Sequence, residues 1–174
     1  AAISTNDAIR TWRPRFVVLA GIAGGVFANG ISLGDVLIAR QIVDYELQKI
    51  TPDGVKMKWR AWNTNPQLLE SASSFDPLSW HSDRTDLYKL RPGAGDPNVV
   101  FGPLASGDKV VAAEDFLQEL LSIHSDIIGV EMEAGGSACA AFQATPSAPG
   151  FIMIRGVSDL ADPEKNTAET RQWR

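Results

Sequence analysis

The sequence is poor in the residues that mark several common kinds of functional site. It contains a single cysteine, Cys139, and only two histidines. One cysteine excludes an internal disulfide and a cysteine-rich metal site, and it favours a reducing compartment. Neither histidine has the spacing of a metal ligand or pairs with a serine or cysteine in a known nucleophile motif. We therefore expect a cytoplasmic protein that uses no metal and no cofactor.

Long apolar runs and clustered basic residues are also missing. No stretch reaches the roughly 18 apolar residues of a transmembrane helix. The net charge is −5, and no run of lysine and arginine forms the basic face typical of nucleic-acid binding. Neither the dinucleotide-binding glycine pattern nor a phosphate-binding P-loop is present. We expect neither a membrane nor a nucleic acid as partner, and the charge suits a small-molecule ligand better.

What is present is an alternation of short apolar runs with helical patterns. The runs at 16–20 and 151–157 are typical of strands buried on both faces, as in parallel sheets. Strand patterns cover 16–20, 34–40, 99–101, 109–111, 127–130 and 151–157, and helical patterns cover 1–12, 66–74, 113–122 and 131–144. This order predicts an α/β fold, a three-layer α/β/α sandwich around a central mixed, largely parallel sheet.

The length of 174 residues fits a single domain, 1–174. The first residues have the pattern of the middle of a helix and include no initiator methionine, and the last residues resemble the start of another helix. We therefore expect the sequence to be part of a longer protein. Residues 51–104 are irregular, with turn-forming glycines and prolines, and we interpret them as a variable insertion.

Three unusual stretches follow predicted strands, where open α/β sheets bind ligands. The first is 21–25, with the sequence Gly-Ile-Ala-Gly-Gly. Glycine there permits close approach to a flat ligand or presentation of N–H groups to an anion. A tight turn after a strand is the alternative interpretation.

The second stretch contains Glu131 and Glu133 directly after a predicted strand. Carboxylates in this position can accept hydrogen bonds from the neighbouring hydroxyls of a sugar. The alternative is that they are acidic residues in the first turn of a helix, where the helix dipole favours them.

The third stretch contains two aspartates, Asp159 and Asp162, at the end of an apolar strand. An aspartate at a strand end can serve as a general acid. Asp162 precedes Pro163 and has the pattern of a helix N-cap. We assign chemistry to Asp159 and a structural role to Asp162.

These stretches occur in one order with Gly34-Asp35-Val36 and Ser106-Gly107-Asp108. The series resembles the nucleoside phosphorylase/nucleosidase superfamily, and within it the methylthioadenosine/S-adenosylhomocysteine nucleosidases and related bacterial nucleosidase domains. The resemblance covers about residues 1–166 and is weakest between 50 and 100. It implies a phosphorylase-like fold that lacks its first strand and the end of its last helix. In these nucleosidases the first strand carries the glutamate that activates water, so we expect that base upstream of residue 1.

The resemblance also implies roles for individual residues in the cleavage of a purine nucleoside that releases adenine. Asp159 matches the acid that acts at N7 of the departing purine, and Glu133 matches the glutamate that binds the ribose 2′- and 3′-hydroxyls. The other residues implied to contact substrate are Met132 against the sugar, Ala23 and Gly24 along the ribose and base, Val110 and Val111 at the base, and the flanking Glu131 and Ser158.

The resemblance leaves the nucleophile open between water and phosphate. Hexameric phosphorylases hold phosphate with an arginine and a serine, and the matching positions here are Leu19 and Ile22. Apolar side chains would hold a dianion poorly, which favours water. The alternatives are a purine nucleoside phosphorylase, a nucleotide (AMP or ATP) nucleosidase effector domain, and a non-catalytic nucleoside-binding sensor. The family implies a homodimer or higher homo-oligomer, with fusion to other domains in some relatives.

Overall fold

The computed structural model describes residues 1–52, 54–76, 97–108 and 114–161. Within these ranges the chain forms eight strands and four α-helices, which alternate along much of the sequence. The helices are α1 (Ala2–Trp12), α2 (Pro66–Ser73), α3 (Glu114–Ile123) and α4 (Ala134–Phe142). The strands are β1 (Phe16–Gly25), β2 (Val36–Asp44), β3 (Gln48–Thr51), β4 (Gly54–Met57), β5 (Arg60–Asn63), β6 (Val99–Ser106), β7 (Gly129–Glu131) and β8 (Gly150–Asp159).

Six of the strands form one mixed sheet in the order β5-β2-β6-β7-β1-β8, while β3 and β4 pair with each other. The pairs β1–β8, β2–β6 and β6–β7 are parallel, whereas β1–β7 and β2–β5 are antiparallel. The start of β2 also pairs with β8, so the sheet curls until these two strands meet. The predicted α/β sandwich with a mixed, largely parallel sheet is confirmed. The curl of the sheet was not predicted from the sequence.

The longest pairing joins β1 to β8 from Phe16 opposite Gly150 to Ala23 opposite Val157. Both strands are confirmed, but the expected burial on both faces holds only for β8. Val18 is 56% exposed, and Ile22 is 61% exposed. Alternate residues of β1 therefore face the core and the surface, as in a half-buried strand.

The glycine-rich stretch 21–25 was expected to follow the first strand, and this was wrong, because it forms the last five residues of β1. β1 continues to Gly25 because Gly24 and Gly25 pair with β7 while 21–24 pairs with β8. A Cβ on Gly25 would lie 2.5 Å from Cγ2 of Ile31. Glycine here permits close packing of a central strand, which overrides its preference for turns.

The helices lie close to their predicted positions, with one shift. α4 begins at Ala134 and not at Glu131, because Glu131 ends β7 and its carboxylate accepts the N–H groups of Glu133 and Ala134. Within 51–104, expected to be irregular, the structure has β4, β5, α2 and most of β6, while 77–96 lies outside the described residues. Across the described ranges the helices have 8 to 11 residues, and none is long and apolar enough to cross a membrane.

Candidate active site

The three stretches selected from the sequence meet around the end of β1. Gly24 pairs with Asp159 of β8 on one side and with Val130 of β7 on the other. Adjacent strands lie about 4.8 Å apart, which places the backbones of Asp159 and Val130 about 10 Å apart across β1. They do not share one carboxyl edge, however, because β7 runs antiparallel to β1. Glu131, the last residue of β7, therefore lies beside Ala23, and Glu133 follows it in the chain.

Asp159 is oriented by a β-bulge at the end of β8. The register changes from Ala23 opposite Val157 to Gly24 opposite Asp159, which leaves Ser158 as an extra residue. Bulges redirect side chains and are frequent beside active sites. The Oδ1 atom of Asp159 accepts the N–H of Ala161 at 3.2 Å, and the Ser158 hydroxyl lies 3.0 Å from Oδ2. These two donors fix the orientation of the partly buried carboxyl group.

Gly24 and Ala23 form the β1 side of this group. A Cβ on Gly24 would lie 3.0 Å from Oδ1 of Asp159, so glycine lets the carboxyl group approach the strand. Ala23 is 4% exposed, and its carbonyl oxygen lies 3.4 Å from the hydroxyl of the buried Ser158. Val110, Val111 and Asp162, which the sequence also singled out, lie outside the described residues.

Glu131 is buried, and its oxygens are already bonded within the protein. Its carboxylate accepts the N–H groups of Glu133 and Ala134 at 3.1 and 3.0 Å, at the start of α4. It also forms an ion pair with Nη2 of Arg155, and its side chain is only 1% exposed. These contacts favour a supporting role for Glu131 over the substrate contact expected from the sequence.

Arg155 is the residue that sequence reasoning missed. It lies on β8, is 3% exposed, and its Nη2 contacts the carboxylates of both Glu131 and Glu133, the latter at 2.9 Å. A signal for it was present, since it is the one charged residue within the apolar run 151–157. Buried charges are almost always paired, so its position alone predicts an acidic partner.

Glu133 is a half-exposed carboxylate at the N-cap position of α4, with 54% of its side chain accessible. Partial burial, the hydrogen bond with Glu131 and the negative charge of Glu131 raise the pKa of Glu133, and Arg155 opposes this shift. Met132 beside it is 42% exposed. The site thus presents a carboxylate held by Arg155 on one side and open to a ligand on the other.

We predict that Glu133→Gln does not destabilise the protein at neutral pH. A raised pKa in the folded state means that folding favours the protonated form. The corresponding stability is fully present below the unfolded pKa and is lost as the pH rises through the folded value. Glutamine stays neutral and avoids the free-energy cost of an ionised carboxylate at this position. The thermal midpoint of Glu133→Gln at pH 7 should therefore equal or exceed that of the wild type. The difference should vanish below about pH 4, where glutamate is protonated in both states.

The matched control is Glu119→Gln, at an exposed position on α3, which should leave the midpoint unchanged at every pH. A lower midpoint for Glu133→Gln at pH 7 would contradict the prediction. It would show that the ion pair of Glu133 with Arg155 stabilises the fold by more than partial burial and the charge of Glu131 destabilise it. Circular dichroism melts between about pH 3 and 7.5 would distinguish these results.

Among the described residues, no three histidine, cysteine, aspartate or glutamate side chains cluster closely enough to hold a metal ion. The candidate site consists of Asp159, whose orientation is fixed, Glu133, which is held by Arg155, and the glycine-rich end of β1 between them. These groups can bind hydroxyls and transfer a proton.

Over almost its whole length the chain is similar in sequence to proteins named as nucleosidases. A 5′-methylthioadenosine/S-adenosylhomocysteine nucleosidase of Glaesserella parasuis is 28% identical over 95% of this chain and 65% of its own length. A death domain-containing ATP nucleosidase of Amphimedon queenslandica is 25% identical over 98% of this chain and 32% of its own length. The chain thus spans less than two thirds of these relatives.

The fold is also similar to that of solved nucleosidase structures. The 5′-methylthioadenosine/S-adenosylhomocysteine nucleosidase of S. pneumoniae, determined with a transition-state inhibitor, superposes with a TM-score of 0.71 at 26% identity. The match covers 95% of this chain and 65% of that one. The family model of the phosphorylase superfamily matches residues 1–174. The chain therefore belongs to the phosphorylase superfamily.

Proposed function

We propose that the protein hydrolyses the N-glycosidic bond of a purine nucleoside and releases adenine, with methylthioadenosine or S-adenosylhomocysteine as the model substrates. The observation that carries this proposal is the pairing of Gly24 with both Asp159 and the strand that leads to Glu133. The proposed acid, Asp159, and the proposed acceptor of the ribose hydroxyls, Glu133, thereby lie on opposite sides of β1. The nucleosidase of Glaesserella parasuis, alike over 95% of the chain, supports the same activity.

In the proposed mechanism the two carboxyl groups act on different ends of the breaking bond. Cleavage develops negative charge on the base and positive charge on the ribose, as in other reactions with oxocarbenium-like transition states. Asp159 supplies a proton or a hydrogen bond to N7 of the leaving purine, which stabilises the charge on the base. Glu133 accepts the ribose hydroxyls, and Met132 packs against the sugar. The contacts of Val110 and Val111 with the base stay predictions.

Water is proposed as the nucleophile because the positions that would hold phosphate are apolar. Ile22 is largely exposed on β1, and Leu19 packs against the apolar core. Neither side chain donates a hydrogen bond, so neither compensates the desolvation of a phosphate dianion. The purine nucleoside phosphorylase alternative would require anion ligands from elsewhere. The homo-oligomer and the cytoplasmic location likewise stay predictions.

A nucleotide substrate is the second candidate. The Amphimedon queenslandica protein named an ATP nucleosidase is similar over 98% of this chain. In that case Asp159 and Glu133 would keep their roles at base and ribose, and only the 5′ end of the substrate would differ. A substrate panel distinguishes the two candidates without altering the proposed chemistry.

The test uses full-length protein with adenosine, methylthioadenosine, S-adenosylhomocysteine, AMP and ATP, and measures free adenine by chromatography. The leading proposal expects adenine from one or more of the nucleosides and slower release from the nucleotides. Preference for ATP or AMP would favour the second candidate. Absence of adenine from all five substrates would leave the sensor alternative and contradict both catalytic proposals.

The raised pKa of Glu133 predicts a pH-dependent KM. Binding of ribose hydroxyls requires the ionised carboxylate as acceptor, and Glu133 takes up its proton at a higher pH than an ordinary glutamate. The nucleoside KM should therefore rise as the pH falls towards the raised pKa, before ordinary glutamates titrate. In Glu133→Gln the KM should be higher at pH 7.5 and independent of pH. A KM that stays flat in the wild type down to about pH 4.5 would contradict the ribose role.

A further inference from the structure

The guanidinium group of Arg155 lies directly against Gly21 on the neighbouring strand. The two residues are paired in the parallel register of β1 and β8. A Cβ built on Gly21 would lie 2.0 Å from Nη1 and 3.2 Å from Cζ of Arg155. The guanidinium is planar and rigid, and its other terminal nitrogen, Nη2, contacts Glu131 and Glu133. A methyl group at position 21 would therefore force the guanidinium to shift, and Nη2, which contacts the two carboxylates, belongs to the same rigid plane.

Backbone conformation does not explain a glycine at this position. Among the described residues the glycines with positive φ are Gly30 and Gly34, so Gly21 has a conformation that other residues adopt readily. Glycine in the interior of a strand weakens it, because it adds flexibility to the unfolded chain and offers no side chain to pack. The space that Gly21 leaves for Arg155 is the feature that offsets this cost.

We propose that Gly21 is a positioning residue: its missing side chain forms the slot for Arg155, which in turn holds the Glu133 carboxylate towards the ribose. The inference rests on the proposed function and extends it to a residue that touches no substrate. Glu131 is anchored by backbone N–H groups at the start of α4, so it cannot follow a displaced arginine. Glu133 is half exposed and has no such anchor. A side chain at position 21 should therefore displace the Glu133 carboxylate, which accepts the ribose hydroxyls, and leave Asp159 unaffected.

The test compares Gly21→Ala with Gly156→Ala in the full-length protein, using adenosine and free adenine as probes in binding calorimetry, with each change made in the Asp159→Asn background so that adenosine is not cleaved during the titration. Gly156 lies on the same strand pair, opposite Ile22, and a Cβ there would have no atom of the described residues within 4 Å. Loss of a charge-assisted hydrogen bond corresponds to about 10- to 100-fold weaker binding. Gly21→Ala should weaken adenosine binding by that factor and change adenine binding by less than about twofold. Gly156→Ala should change neither.

A general loss of structure would weaken both ligands equally, and that result would overturn the inference. Unchanged adenosine binding by Gly21→Ala would overturn it as well. The ratio of the two dissociation constants is therefore the decisive quantity, because a merely structural effect would not move it.

Arg155→Lys provides an independent check of the slot. Lysine ends near the position of Cζ and has no atom at Nη1, so it relieves the contact that the alanine methyl would make. Gly21→Ala should then add less than about threefold to the loss of adenosine binding seen in Arg155→Lys alone. Residues in contact show such non-additive effects, whereas independent sites do not. Full additivity of the two changes would overturn the slot.

Adenine release by the wild type separates this inference from the proposed function. If the wild type binds adenosine with the predicted variant pattern but never cleaves it, the hydrolase proposal fails and the slot stands. If the wild type cleaves nucleosides while Gly21→Ala binds adenosine normally, the slot fails and the hydrolase proposal stands.

Discussion

Asp159→Asn should lower kcat for adenine release by about 10²- to 10⁴-fold, the range typical of a lost general acid. Asparagine has the same shape, and its Oδ1 can still accept the N–H of Ala161, so the bulge at the end of β8 should be retained. It can donate a hydrogen bond to N7 but cannot transfer a proton there. Steady-state assays with the best nucleoside of the panel would measure the effect, with KM changing much less than kcat.

The control for this variant is Asp115→Asn, an exposed carboxylate on α3, which should keep full activity. An unchanged thermal midpoint for Asp159→Asn would show that the loss is chemical. An Asp159→Asn enzyme with activity close to the wild type would refute the assignment of the acid.

Arg155→Met should destabilise the fold by about 3–5 kcal/mol, the cost of removing one partner of a buried ion pair. The loss arises because the Glu131 carboxylate, 1% exposed, would remain buried without its counter-charge. Methionine keeps an unbranched, flexible side chain that fills the space of the arginine stem, although not that of the guanidinium. Urea unfolding followed by circular dichroism would give the free energy of unfolding.

Two further variants show whether the uncompensated charge is the cause. Arg155→Met with Glu131→Gln should recover much of the lost stability, because glutamine is neutral and can still accept the N–H groups of Glu133 and Ala134. Arg40→Met, which removes an exposed arginine from the same sheet, should cost less than about 1 kcal/mol. If Arg155→Met costs no more than Arg40→Met, the buried ion pair does not stabilise this fold.

The sequence predicted those features of the fold that local patterns encode. The apolar run of β8 identifies a buried strand because every residue in it but Arg155 and Gly156 is apolar and the core covers both of its faces. Helix α4 was located despite two glycines, and its start differed by three residues. The shift arose because the Glu131 side chain, and not the next turn of the helix, binds the first free N–H groups.

Features that depend on pairing between distant strands could not be predicted in the same way. Gly24 and Gly25 have the local signature of a loop, yet pairing on both sides extends β1 through them. The direction of β7 is a second case, since a three-residue strand contains no signal for whether its neighbour runs parallel or antiparallel.

Some residues of the candidate site could be predicted from local sequence patterns, and others depend on contacts between distant parts of the chain. Asp159 and Glu133 were located because their positions after strands and the resemblance to a family pointed to them. Arg155 was missed because its partners, Glu131 and Glu133, lie 24 and 22 positions earlier in the chain. A buried charge in an apolar run indicates that some partner exists, but only the register of β1 against β8 shows which residues make room for it.

The central claim, hydrolysis of a purine nucleoside, is tested most directly by the identity of the sugar product. Full-length protein would be incubated with methylthioadenosine in the presence of inorganic phosphate, and the sugar would be identified by mass spectrometry. Hydrolysis predicts adenine and free methylthioribose at a rate that does not depend on phosphate. Adenine accompanied by methylthioribose 1-phosphate, formed only when phosphate is present, would contradict it.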